Sequence, residues 1–157
     1  MKRLLLTLTV FCCALIVSCK KDNKTVVNDL FIGAFKQGNN WVAKPSTGII
    51  PSTDSLQVQG FKQVGEENLI FKIKFTGKGT YSLKGAQATY FTTLGMDAIT
   101  SNYKLDDTQT NTVTVNSFNV ATGIASGTFE MNFLRTYGSG DAKISFTGGK
   151  FYIYVPN

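Results

Sequence analysis

After residue 28 this chain alternates apolar and polar residues with a period of two. Over 69–75, Leu69, Phe71, Ile73 and Phe75 share one side, while Lys72 and Lys74 take the other. Over 128–133, Phe129, Met131 and Phe133 alternate with Thr128, Glu130 and Asn132. The same pattern runs through Val113 and Val115, through Ile144 and Phe146, and through Phe151, Ile153 and Val155. Successive side chains of an extended backbone point to opposite faces, so each stretch predicts a half-buried antiparallel strand. No helical periodicity of useful length competes with it.

Turn residues punctuate these stretches. Gln37-Gly38-Asn39-Asn40 reads as a hairpin turn between 30–36 and 41–43. Gly77-Lys78-Gly79 and Ala121-Thr122-Gly123 separate further strands, and Gly148-Gly149 reads as a tight hairpin joining 143–147 to 151–155. Residues 45–54, with Pro45 and Pro51, predict a long loop. Within 85–103, residues 86–93 fit a strand and 93–98 a turn or one helical turn. Turn signals about every 8–12 residues indicate an all-β domain. The expectation is an antiparallel β-sandwich, with an open β-barrel as the alternative, of roughly eight to ten strands.

The first residues follow another rule. A basic start (Lys2, Arg3) precedes an apolar run from Leu4 to Val17, broken only by Thr7 and Thr9. At 14 residues the run falls short of the roughly 20 that span a bilayer, but it suits a cleaved export signal. Ile16-Val17-Ser18-Cys19 resembles the bacterial lipobox. That resemblance implies cleavage between Ser18 and Cys19 and lipid on the Cys19 sulfur and the new amino terminus. Two or more acyl chains, at about 0.8 kcal/mol per buried CH2, anchor stably where one does not. The competing reading is an ordinary signal peptide with a chance cysteine. Lys20-Lys21-Asp22-Asn23-Lys24 is polar and reads as a tether. The division is therefore 1–18 signal, 19–27 lipidated tether, and 28–157 a single domain. A Cys-Lys-Lys-Asp start is similar to lipoproteins of Bacteroidetes-type bacteria, which implies the outer membrane, on its periplasmic face or at the cell surface.

Removing the signal changes the chemistry on offer. Net charge drops from +6 to +4, and 139 residues remain, enough for one domain with a core. Cys12 and Cys13 leave with the signal and Cys19 is acylated, so no disulfide is expected despite export. The chain has no histidine, which removes Ser-His-Asp and Cys-His catalysis and histidine-ligated zinc. Basic residues are scattered between Lys20 and Lys150 rather than clustered, which argues against nucleic acid. No cofactor or metal is expected.

Three short motifs point to a family. They are Phe31 to Ala34 followed by Trp41-Val42-Ala43, then Ile124-Ala125-Ser126-Gly127-Thr128-Phe129-Glu130, and last Ile144 with Thr147-Gly148-Gly149-Lys150-Phe151. In this order they resemble small Bacteroidetes-type outer-membrane lipoproteins that carry a domain of unknown function. The resemblance spans most of 28–155, supports an all-β lipoprotein and brings no catalytic residues. Gly127 reads as a position of crowding or a bulge.

Candidate sites are few. Tyr152 and Tyr154, at i and i+2, project from one sheet face opposite the apolar set and offer a stacking surface; the plainer reading is cross-strand pairing. Trp41 is either a core plug beside a hairpin or a ligand platform. Leu105 to Asn111 is oxygen-rich but lacks the spaced acids of a calcium loop, so a solvated turn is expected. Glu66-Glu67 and Asp106-Asp107 are adjacent acids, whereas glycoside hydrolysis needs carboxyls about 5–9.5 Å apart across one bond. Neighbours on an extended chain diverge, so neither pair forms a dyad alone. Asp54-Ser55-Leu56 is similar to a motif O-glycosylated in exported Bacteroidetes proteins, which makes Ser55 a candidate. The function expected is a non-enzymatic, lipid-anchored binding or accessory module for a glycan, peptide or envelope protein. The alternatives are a structural or assembly protein and, behind it, a carboxylate-based hydrolase.

Overall fold

The computed structural model describes residues 30–50 and 54–156. The signal, Ser18, Cys19 and the tether lie outside the described residues. Ten strands form in chain order: β1 (Phe31–Lys36), β2 (Asn39–Ile50), β3 (Ser55–Lys62), β4 (Glu67–Lys74), β5 (Gly79–Ser82), β6 (Ala88–Leu94), β7 (Ala98–Leu105), β8 (Thr112–Asn119), β9 (Ile124–Gly138) and β10 (Lys143–Tyr154). A 3₁₀ turn, Gly85–Gln87, leads into β6.

All ladders are antiparallel. The order β10-β1-β2-β3-β4-β6-β7-β9 returns to β10, which makes a closed eight-stranded barrel. The expected sandwich is therefore corrected to a barrel. Period-two alternation cannot separate the two, because one face is buried in both. Closure depends on β1 pairing with β10, Phe31 opposite Tyr152, across nearly the whole domain. β9 has 15 residues because it serves two neighbours in turn. Its first half pairs with β8, and Phe133 to Gly138 pair with β7. β8 and then β5 thus continue the sheet outside the ring.

Two local expectations change. Gly148-Gly149 does not turn the chain, since β10 runs unbroken from Lys143 to Tyr154. The register with β9 slips between Phe146 and Gly149, and Gly148 has φ +57°. This is a β-bulge with glycine in the left-handed position. A Cβ on Gly149 would lie 2.4 Å from the Phe129 carbonyl oxygen, so no larger residue fits the unshifted backbone. Residues 45–50 do not belong to a loop either, because β2 continues through them and pairs Pro45 with Gly60. Pro45 is tolerated because β1 pairs with β2 only as far as Ala43, and no partner on that side asks for its missing N–H. The first hairpin forms as read: Gln37 and Gly38 both have positive φ (49° and 77°), as a two-residue type I′ turn requires.

The barrel interior is aromatic. Trp41 is fully buried and meets Phe146 edge-on at 5.2 Å, and Phe146 meets Tyr90 and Phe133. Phe71 packs between Phe129 and Phe151. Gly60 makes room, since a Cβ there would stand 2.7 Å from Ile32 Cγ2 and 3.0 Å from Trp41 Cη2. The interior is framed by the ring that β1 and β10 close, so the barrel is completed within residues 31–154.

Candidate functional site

The outer faces of β10, β1 and β2 form one surface. Ile32 and Ala34 of β1 point inward and are buried, which turns Phe31, Gly33 and Phe35 outward. Phe151 and Ile153 are buried, so Tyr152 and Tyr154 face out, as their spacing implied. Register brings these sets together: Phe31 stands opposite Tyr152, Gly33 opposite Lys150 on one side and Val42 on the other, and Phe35 opposite Asn40. Phe35 and Val42 are 52% and 53% exposed and wall the same stretch of surface. Gly33 has no side chain, so a shallow depression of about 250 Å3 forms over it, walled by Phe31, Phe35, Val42, Asn40 and Lys150.

Trp41 does not join this surface. It lies on the inner side of β2, so the sheet separates it from the tyrosines, and it acts as the core plug. Its indole Nε1–H has no hydrogen-bond partner among the described residues. Ser55 is 5% exposed at the first position of β3. A sugar on it would have to be attached before that part of the sheet forms.

Phe31, Phe35 and Val42 were not singled out by sequence reading. The signal was present: Phe31-Ile32-Gly33-Ala34-Phe35 is apolar at both parities, and a strand with one wet face should not be.

A second cluster also escaped notice. Lys36, Lys62, Glu67 and Tyr90 continue the inward sets of β1, β3, β4 and β6 at the barrel end formed by the β1–β2 and β3–β4 turns. Lys36 Nζ donates to Glu67 Oε2 and, at 3.1 Å, to the Tyr90 hydroxyl. Lys62 Nζ donates to Glu67 Oε1 at 3.0 Å, and Tyr90 donates to Glu67 Oε2 at 2.8 Å. Burial alone would raise the Glu67 carboxyl, but hydrogen bonds from Lys36, Lys62 and Tyr90, with the Lys36 charge, hold it below its usual range. Burial, then the Glu67 hydrogen bond and charge, push the Tyr90 phenol up. An ionised carboxylate with three donors and a protonated phenol make a closing layer at this end of the barrel.

Glu66 and Glu67 diverge as expected. Glu66 turns outward and accepts from Met96 N (2.7 Å), Thr93 Oγ1 (2.8 Å) and Gly95 N (2.9 Å). The Met96 amide above all lowers its carboxyl, with Thr93 and Gly95 adding to it. This carboxylate latches two neighbouring turns whose Val64, Leu94 and Met96 are more than 70% exposed.

The segment after β7 is the expected solvated turn over Asp107 to Thr110, all exposed, with its two ends anchored in the barrel wall. Asp106 and Asn111 are buried, and Asp106 Oδ1 accepts from Thr108 N (3.1 Å) and Oγ1 (2.6 Å). Asn111 donates to the Asp106 carbonyl and accepts from Asn132 N. In the cleft beside it, Gln37 bonds the Lys143 carbonyl and both the amide and hydroxyl of Ser145. Among the described residues no three histidine, cysteine, aspartate or glutamate side chains gather as a metal group would require.

A family model spans residues 28–156, the whole of the described barrel. The chain belongs to the DUF6252 family, a domain of unknown function. Membership extends over both candidate clusters, the aromatic outer face and the charged barrel end, and assigns a role to neither. No curated protein and no solved structure matches the chain.

Proposed function

We propose that this chain is an exported lipoprotein, cut before Cys19 and held on the outer membrane by lipid on that cysteine. Its barrel is a non-enzymatic binding or accessory module that meets an envelope component through the outer face of β10, β1 and β2. The observation that carries this reading is the exposed pair Phe31 and Phe35 around Gly33, with the half-buried Tyr152 opposite Phe31. Exposed apolar surface of this kind is costly to keep and marks a contact surface. The lipobox-like Ile16-Val17-Ser18-Cys19 supports the anchor. A pure structural role, in which the face contacts only other copies or envelope proteins, is the second reading; the open depression over Gly33 favours the first.

Two measurements test the parts separately. Radiolabelled palmitate should label the wild-type chain and not Cys19→Ala, whose precursor should stay uncut; full labelling of the variant would remove the anchor. A photo-crosslinker at Tyr152 in intact envelopes should trap a discrete adduct that a crosslinker at exposed Lys104 does not. Identical adduct patterns from both positions would remove the binding face.

A further inference from the structure

We infer that the outer face of β10, β1 and β2 lies against the lipid bilayer to which the chain is tethered, as a second membrane contact beside the acyl anchor. This deepens the reading above and rests on Cys19 being the anchor.

Position is the first argument. The tether enters the barrel at Leu30, immediately before Phe31, the residue that opens the aromatic run. Ten residues separate Cys19 from Leu30, and fully extended they span at most about 35 Å. An anchor at Cys19 thus keeps the barrel within about 35 Å of the bilayer, with its attachment point at the start of this face.

Composition is the second argument. Phe31, Phe35, Tyr152, Tyr154 and Val42 supply aromatic and apolar surface, and Lys44 and Lys150 flank them on the outward rows of β2 and β10. Tyrosine at a membrane–water boundary buries its ring and keeps its hydroxyl wet, while lysine lays its stem along apolar surface and carries its ammonium to anionic headgroups. Glu130 of β9, across the ladder from β10, is engaged by the Gly148 N–H.

Chemistry decides between lipid and a directional ligand. Orienting a sugar or peptide takes several convergent polar groups. The depression offers only Asn40 and Lys150 among its side chains, and its floor is glycine. A bilayer asks for no directional bonds. One such face binds weakly by itself and adds to a lipid anchor as a second signal.

The test replaces the native anchor, so that it does not depend on lipidation. Residues 28–157, self-contained by the closure of β1 on β10, carry an N-terminal hexahistidine and are captured on vesicles of phosphatidylethanolamine, phosphatidylglycerol and a nickel-chelating lipid. The domain has no cysteine, so Val42→Cys and Val64→Cys each accept one environment-sensitive fluorophore. Val64 sits on the turns at the far end of the barrel and serves as the reference. Brominated lipid should quench the probe at 42 at least about twofold more than that at 64. Phe31→Ser with Phe35→Ser should abolish the difference without changing the unfolding midpoint by more than a few degrees. Equal quenching at both positions, or stronger quenching at 64, overturns the inference. So does capture of a defined glycan or envelope protein by this face on vesicles where the 42 probe stays unquenched. Palmitate labelling reports the anchor independently, so a failed anchor and a failed face give different results.

Discussion

Glu67 shows how one side chain can set the condition of a whole barrel end. It sits inward, is almost fully buried and accepts from two ammoniums and a phenol. Removing its charge leaves Lys36 and Lys62 facing each other at the rim. Glu67→Gln should cost about 2 kcal/mol in urea unfolding at pH 7, since unpairing partly buried charges costs more than losing a neutral hydrogen bond. The pH dependence has a definite sign. The folded carboxyl is held below its usual 4.5, so its contribution is complete above that value and is lost as pH falls through the lower folded one. The stability gap between wild type and Glu67→Gln should therefore narrow below about pH 4.5. A gap that stays constant to pH 3 would show that packing, not charge, is what Gln disturbs.

β10 is the element on which the architecture turns. It pairs with β1 on one side and β9 on the other, and the bulge at Gly148-Gly149 lets both registers hold. The two glycines have different jobs, which substitution can separate. Gly148 is left-handed, and a Cβ there meets Phe35 at an ordinary 3.5 Å, so Gly148→Asn should change stability by only a few tenths of a kcal/mol. Gly149→Val drives a side chain into the Phe129 backbone and should cost about 3 kcal/mol. Thermal unfolding of the two variants checks this; equal losses would show that the two glycines do not have separate jobs.

Across the molecule, stability should follow how many neighbours each strand has. Strands of the ring are bonded on both sides, whereas β5 has four residues and pairs only with β8 among the described residues. Native-state amide exchange should protect Phe146 to Ile153 of β10 most strongly and Gly79 to Ser82 least. Uniform protection through β5 would mean that it is covered by something the ring does not supply.

The chain's own order of residues carried the strands, the first hairpin, the outward pair Tyr152 and Tyr154, and membership of an all-β class. These follow from local rules: a period of two, and glycine where φ must be positive. The lipobox-like segment is likewise a contiguous motif, and it lies outside the described residues. Closure was not legible, because the pairing of Phe31 with Tyr152 joins residues over a hundred positions apart, and alternation reads the same in a sandwich. The Gly148-Gly149 bulge was taken for a turn because glycine permits both, and only the backbone of Phe129 across the ladder decides. Both candidate clusters waited on register too. Phe31, Phe35, Val42 and Lys150 become one surface, and Lys36, Lys62, Glu67 and Tyr90 one charged layer, only when six strands are set side by side. Local chemistry chose which residues face in and which face out, and the tertiary pairing chose their neighbours.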